Sequence, residues 1–240
     1  AERGHSVTLY EKKGSVGGLL EFANNVKGPH ENLSVLRSYF ERQMEVLGVN
    51  VMLNTEATAD IIAEASPDIV IAATGGVRDT LGLSDTAGTK VVGIDDFMMA
   101  DIAEEVVIVG SNVQAIDAAM YLLAQGKHVQ VVTPNAASAI GAGHSFWVKT
   151  FTQPNMKALG VRFWPEATVT AVNDGSVTVK TATGIEQEIA CGTVVEALDC
   201  LPNDNLSTGL SCEVVTVGDA ARPFNIGEAI CSGNAAARAI

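Results

Sequence analysis

Positive charge and aromatic side chains are both scarce in this chain. Fifteen Lys and Arg stand against 28 Asp and Glu, a formal net charge of -13 over 240 residues. Nucleic acids and anionic membrane surfaces draw their affinity largely from Lys and Arg, so neither is expected as a partner. No Cys-x-x-Cys occurs among the four cysteines, Cys191, Cys200, Cys212 and Cys231. Neither a redox dithiol nor a zinc site is therefore visible, which disfavours a soluble pyridine nucleotide–disulfide reductase. Four cysteines without a spacing pattern suit a reducing cytoplasm better than a disulfide scaffold. No apolar run approaches the roughly 18 residues of a membrane span, and no signal peptide is visible. No Ser/His/Asp triad, metal cluster or paired-carboxylate site emerges. His5, His30, His128 and His144 stand apart from one another, and each is expected at the surface or in a structural hydrogen bond.

Aromatics make up only 5% of the chain, whereas Gly alone numbers 23 and Val, Ala and Ile abound. Parallel strands covered on both faces read as such aliphatic runs, so the composition points to an α/β fold. The chain is long enough for one large domain or two modest ones.

A comparison of the chain with itself is more specific. Val106 to Val109 form an aliphatic strand, Gly110 opens a tight turn, and Ala115 to Leu123 carry a helical pattern ending at Gln125-Gly126. Val129 to Val132 form the next strand. This is the strand, glycine turn, helix, strand unit that sets a pyrophosphate on a helix N-terminus. Arg3-Gly4-His5-Ser6-Val7-Thr8-Leu9-Tyr10-Glu11 aligns with Gln125 to Thr133, the second half of that unit. The chain is therefore expected to start at the last turn of a crossover helix. A first strand and glycine loop, about 20 residues, would lie upstream. The other reading is that Gly4 caps a helical stub of an unrelated domain. Two readings are likewise open for Glu11, a solvated acid beside Lys12 and Lys13 or an acceptor for ribose hydroxyls. The register of the repeat favours the second.

Gly14-Ser15-Val16-Gly17-Gly18 follows, where paired glycines let backbone approach a ligand. A helix is expected from about Glu31 to Leu47, with Leu33, Leu36, Phe40, Met44 and Leu47 on a core-facing side. Val49 to Leu53 alternates as a strand. Pro67 to Gly76 is an apolar strand running into a small-residue turn, and residues 77–103 read as a connector with a short helix. Gly141-Ala142-Gly143-His144 reads as a loop near a ligand, and Met156 to Gly160 as a helix end. Short strands from Val161-Arg162-Phe163-Trp164 through Ile189 form an antiparallel meander, with Trp164 structural. Thr193 to Asp199 is a buried strand followed by Leu201-Pro202-Asn203. Val214 to Val217 leads into Gly218-Asp219, and a small-residue helix runs from about Ile226 to Ile240.

In order, these segments resemble the FAD- and NAD(P)-binding C-terminal region of the long NADH:flavin oxidoreductases related to old yellow enzyme. That group includes 2,4-dienoyl-CoA reductase and the trimethylamine and histamine dehydrogenases. The likeness rests on Arg3 to Lys12 with Val16-Gly17-Gly18, Ala72-Ala73-Thr74-Gly75, Val107-Ile108-Val109-Gly110, and Val217-Gly218-Asp219 before the last helix. It implies two Rossmann-like three-layer domains, an FAD domain over 1–102 plus 213–240 and an NAD(P) domain over 103–212. It further implies that Glu11, beside Lys12, holds the adenosine ribose. Gly17 and Gly18 would pass near the pyrophosphate, and Thr74 and Gly75 would support the FAD backbone. Gly218 and Asp219 would meet the ribityl or phosphate region, and Ala229 and Ile230 the isoalloxazine. The second nucleotide would be met at Gly110, Asn112, Gln114, Ala115 and Thr133.

The implied activity is hydride transfer from NAD(P)H to FAD. Electrons would then pass through a 4Fe-4S cluster to FMN in an N-terminal catalytic domain, whose cluster-binding cysteines are not in this chain. The chain by itself is expected to hold FAD weakly or not at all. Three departures bear on the second nucleotide. Gly110-Ser111-Asn112-Val113-Gln114-Ala115 replaces Gly-x-Gly-x-x-Gly; Asn112 can take positive φ at some cost, and Gln114-Ala115 leaves less room at the helix start. Thr133 stands where an acid would grip a ribose, and Leu198-Asp199 replaces a Thr-Gly-like turn. The alternative implied is a non-catalytic module holding ADP or FAD, as in the amine dehydrogenases of the same group.

Overall fold

The computed structural model describes residues 1–28, 32–203, 205–206 and 209–240. His30 and Glu31 lie outside them. In chain order the elements begin with β1 (Thr8–Tyr10), α1 (Leu19–Lys27), α2 (Leu33–Val46), β2 (Asn50–Met52), α3 (Ala59–Ala65), β3 (Ile69–Ala72), β4 (Val77–Arg78) and β5 (Lys90–Gly93). Next come β6 (Glu105–Val109), α4 (Val113–Ala124), β7 (His128–Val132), α5 (Phe146–Ala158), β8 (Arg162–Trp164), β9 (Ala167–Asn173), β10 (Ser176–Thr181) and β11 (Glu186–Ala190). The last are β12 (Thr193–Glu196), β13 (Cys200–Leu201), β14 (Glu213–Thr216) and α6 (Ile226–Ala239). The chain forms two compact units, residues 1–77 with 201–240 and residues 78–200.

The second unit holds a five-stranded parallel sheet of order β5-β12-β6-β7-β8. Val106 to Val109 are all buried, as parallel strands covered on both faces must be. One face packs on the antiparallel meander β9-β10-β11, where Val107, Val109, Val132 and Val194 meet Val169, Val177, Val179 and Ile189. Residues of the opposite parity, Val106, Ile108 and Val131, fall on the other face, where α4 buries Ala115, Ile116, Ala118, Ala119 and Leu122.

Several expectations need correcting here. Arg162–Trp164 is not part of the meander but the parallel edge strand β8, paired with β7 through Val131↔Phe163. Residues 77–103 are more than a connector. Lys90–Gly93 forms β5 beside β12, and Ile94 and Phe97 are buried. Strand β5, Ile94 and Phe97 belong to the second compact unit, residues 78–200.

The first unit contains two parallel pairs, β1 with β2 and β3 with β14. Among its described residues few apolar side chains are buried, namely Phe22, Ile62, Ala72, Val217, Ala220 and Ala236. The apolar side expected for the helix ending at Leu47 is not core. No residue of α2 is buried, and Phe40 and Leu47 remain 39% and 38% exposed. That helix packs against α1, and one neighbouring helix cannot cover a stripe of that width.

The internal repeat is present in three dimensions. Gly4 and Gly126 both hold left-handed backbone, at φ 90° and 83°. Glu11 N–H donates to Met52 O at 2.9 Å, and Thr133 N–H donates to Trp164 O at 3.0 Å. Each residue thus extends its parallel ladder by one rung past the strand. Residues before Gly4 form a turn, with Gly4 N–H on Ala1 O.

Candidate functional site

In doubly wound sheets, ligands collect at the carboxyl ends of the strands. In the first unit Glu11 stands there, half-buried just past β1, with Oε1 accepting from Lys13 N at 2.8 Å. Lys12 is exposed. The chain then turns through Gly17 at φ 118° and Gly18 at φ 50°, the residue preceding α1. Both values favour glycine. A Cβ on Gly18 would meet nothing within 4 Å, whereas one on Gly17 would touch the Arg37 side chain.

The β3–β14 pair brings the other positions of this unit together. Val217 N–H extends the ladder to Ala72 O at 3.0 Å, which sets Thr74-Gly75 beside Gly218-Asp219. Thr74 Oγ1 donates to Asn203 O at 3.2 Å, and Asn203 N–H donates to Ala220 O at 3.0 Å. Gly75 is left-handed at φ 75° and open on its Cβ side. Gly218 N–H donates to Ser232 Oγ at 2.9 Å, and a Cβ on Gly218 would lie 3.5 Å from that of Ala229. Asp219 Oδ1 accepts from Phe224 N at 3.2 Å, and Ile230 is 46% exposed. Asn203 was not singled out from the sequence, because Pro202-Asn203 reads simply as a turn. Its Oδ1 is buried without a hydrogen-bond partner among the described residues, an acceptor of the kind a ligand hydroxyl or water satisfies.

These residues fit FAD. A carboxylate follows β1, left-handed glycines precede a helix, and a buried acceptor and Asp219 stand at the strand ends where polyol hydroxyls need partners. A cavity of about 380 Å³, lined by Ile62, Pro67, Asp68, Leu210 and Cys212 among others, lies instead at the opposite ends of β3 and β14. It is remote from this chemistry.

In the second unit the corresponding polar groups are committed to the protein. Asn112 is the N-cap of α4 at φ -72°, and does not use the positive φ open to an asparagine. Its Oδ1 accepts from Ala115 N at 3.0 Å. Its Nδ2 is shared among Ala197 O at 3.1 Å, Leu198 O at 3.2 Å and Asp199 Oδ1 at 3.1 Å. Gln114 Oε1 accepts from Arg78, whose guanidinium also forks onto Asp95 at 2.9 and 3.0 Å. Thr133 is fully buried. Its hydroxyl donates to Ser111 Oγ at 3.0 Å and accepts from Asn135 N at 3.2 Å. Gly110, at φ 139°, is required by packing, since a Cβ there would lie 2.1 Å from Ala197 O. The loop at Gly141 lies on the same turn, with Gly141 N–H on Ser111 O at 2.6 Å and a bridge between Asn112 and Ala142. These residues do not fit a nicotinamide dinucleotide as they stand. No group of three or more metal-ligating side chains occurs among the described residues, and no helix there is long and apolar enough to cross a membrane.

Residues 68–197 match the pyridine nucleotide-disulphide oxidoreductase family. The chain belongs to that family. It is 35% identical over 138 residues to an NADH oxidase of Thermoanaerobacter brockii, which covers 55% of this chain and 21% of that protein. With the cinnamate reductase of Clostridium sporogenes it shares 34% identity over 134 residues, 55% of this chain and 20% of the other. A solved structure of 2-naphthoyl-CoA reductase with 2-naphthoyl-CoA superposes with a TM-score of 0.84 at 30% identity, over 97% of this chain and 36% of that one. The chain thus spans about a fifth of the length of these two curated relatives. Within the family, this likeness supports the FAD/NAD(P)-binding region of the old-yellow-enzyme-related oxidoreductases, as the sequence motifs implied.

Proposed function

We propose that this chain is the FAD-holding part of a flavin oxidoreductase, with the dinucleotide seated along the carboxyl ends of β1, β3 and β14. The observation that carries this reading is Glu11, half-buried at the end of β1 and followed by the left-handed Gly17-Gly18 turn into α1. Bound FAD supplies reversible two-electron chemistry. Glu11 accepts the hydrogen bonds of the ribose hydroxyls, and the Gly17-Gly18 turn carries the backbone past the pyrophosphate, with Gly18 open on its Cβ side. Thr74, through Asn203, holds the loop beside Gly75 in place. Asp219 keeps its second oxygen for a ligand hydroxyl, and Ala229 and Ile230 face the flavin ring.

Electrons would pass to a catalytic domain in cis beyond this chain, with FMN and a 4Fe-4S cluster as the resemblance implies. For their source, the expected route is NAD(P)H on the second unit, and the NADH oxidase relative supports it. The commitment of Asn112, Gln114 and Thr133 to protein partners favours a second reading, in which that unit is a nucleotide fold without nicotinamide turnover. The test is the flavin released from the denatured full-length protein, expected as one FAD per chain. A preparation without FAD sinks the proposal. Bleaching of the flavin band by NADH or NADPH separates the two electron sources.

A further inference from the structure

In the five-stranded sheet the chain runs outward from β6 through β7 to β8 on one side, while β12 and β5 lie on the other. The topological switch point therefore falls between β6 and β12, and a crevice there is where a doubly wound fold takes its ligand. The Asn112 side chain lies across this point. It follows β6, and all three acceptors of its Nδ2 follow β12. The β6–β12 ladder also runs on past the strand, with Ala197 N–H on Val109 O at 2.8 Å.

We infer that Asn112 and Asp199 form a clasp that closes the switch-point crevice of the second unit and excludes a nicotinamide dinucleotide. The inference rests on reading this unit as a nucleotide fold, not on FAD in the first. Asn112 takes up the donor of Ala115, one of the first backbone N–H groups of α4, which in an open fold serve a pyrophosphate. Asp199 adds an exposed carboxylate to the same place, where it offsets the helix dipole and repels phosphate. On the adenosine side Thr133, Ser111 and Asn135 bond to one another, so the position equivalent to Glu11 offers a ribose nothing.

The test is equilibrium binding of NADH and of NADPH to the protein by calorimetry. Hydrogen exchange of residues 110–115 locates any binding, and flavin content is read separately. The unaltered protein is expected to show no protection of residues 110–115 by either nucleotide. Asn112→Gly with Asp199→Gly is expected to gain at least about tenfold in affinity, with protection at that turn. Asp199→Gly alone keeps the helix cap and hence a folded comparison, and should gain part of the effect. Protection of residues 110–115 in the unaltered protein overturns the clasp, as do folded variants that gain nothing. Loss of flavin without either result bears on the first unit alone.

Discussion

Glu11 and Thr133 occupy one position in two copies of the same unit, each donating its backbone N–H to the residue that ends the neighbouring parallel strand. Their side chains part there. The Glu11 carboxylate is half-buried with a single local bond from Lys13 N, whereas the Thr133 hydroxyl is fully buried and bonded on both sides.

Replacing Glu11 by Gln keeps the shape and removes the charge. A hydrogen bond to a charged group contributes about 1.5–3 kcal/mol, so FAD should be held about tenfold or more weakly. Flavin retained after dialysis measures this, and unchanged retention would remove Glu11 from the ribose site.

Two left-handed glycines of the second unit should respond differently to alanine. At Gly110 the new Cβ meets the backbone of Ala197 at 2.1 Å, a contact no rotamer relieves. Strain and overpacking together predict a loss of about 3 kcal/mol or more. At Gly126 the Cβ enters open space, and only the left-handed penalty of about 1–2 kcal/mol applies. Both tryptophans, Trp147 and Trp164, lie in this unit, so their fluorescence in urea reports the difference. Equal losses would contradict the packing role given to Gly110.

Burial pushes the Cys191 thiol up to about 11, and its Sγ donates to Thr193 O at 3.0 Å. Thiolate, not thiol, is the nucleophile. Alkylation at pH 8 with peptide mapping should therefore label the exposed Cys231 early and Cys191 only after unfolding. Early labelling of Cys191 in the folded protein would contradict its burial.

The hydrogen bond from His128 to the Glu105 carboxylate at 2.7 Å, then its charge, raises the His128 pKa above 6.5. A raised histidine contributes its stabilisation fully below the unfolded value and loses it as pH rises through the folded one. The pair is solvent-exposed, so the effect is small. An NMR titration should place the His128 midpoint above 6.5 and Glu105→Gln should lower it. A midpoint insensitive to Glu105 would be inconsistent with the pairing.

The second unit was largely legible from the chain. Val106 to Val109 and Val129 to Val132 are short aliphatic runs around a helix with a glycine stop, and that local pattern suffices to place them. Strand β5 was not legible. Lys90-Val91-Val92-Gly93 is too short to signal a strand, and it becomes one by pairing with β12, far along the chain. Val161 to Trp164 reads as a strand but not as a parallel or antiparallel one, because direction is a property of the partner. The helices α1 and α3 were passed over, α1 although Leu19, Phe22, Ala23 and Val26 recur at helical spacing, and α3 because its seven residues span barely two turns.

What the sequence by itself determined was the repeat, its register, and hence the equivalence of Glu11 with Thr133. Those follow from alternation, turn glycines and helix stops, which act between residues close along the chain. Tertiary structure decided which of the equivalent positions has polar atoms left for a ligand. Asn112 looked like an imperfect glycine, and its side chain became a clasp because folding set Ala197, Leu198 and Asp199 within hydrogen-bond distance of it. A polar side chain is available or committed according to its spatial neighbours, and these come from strands distant in sequence.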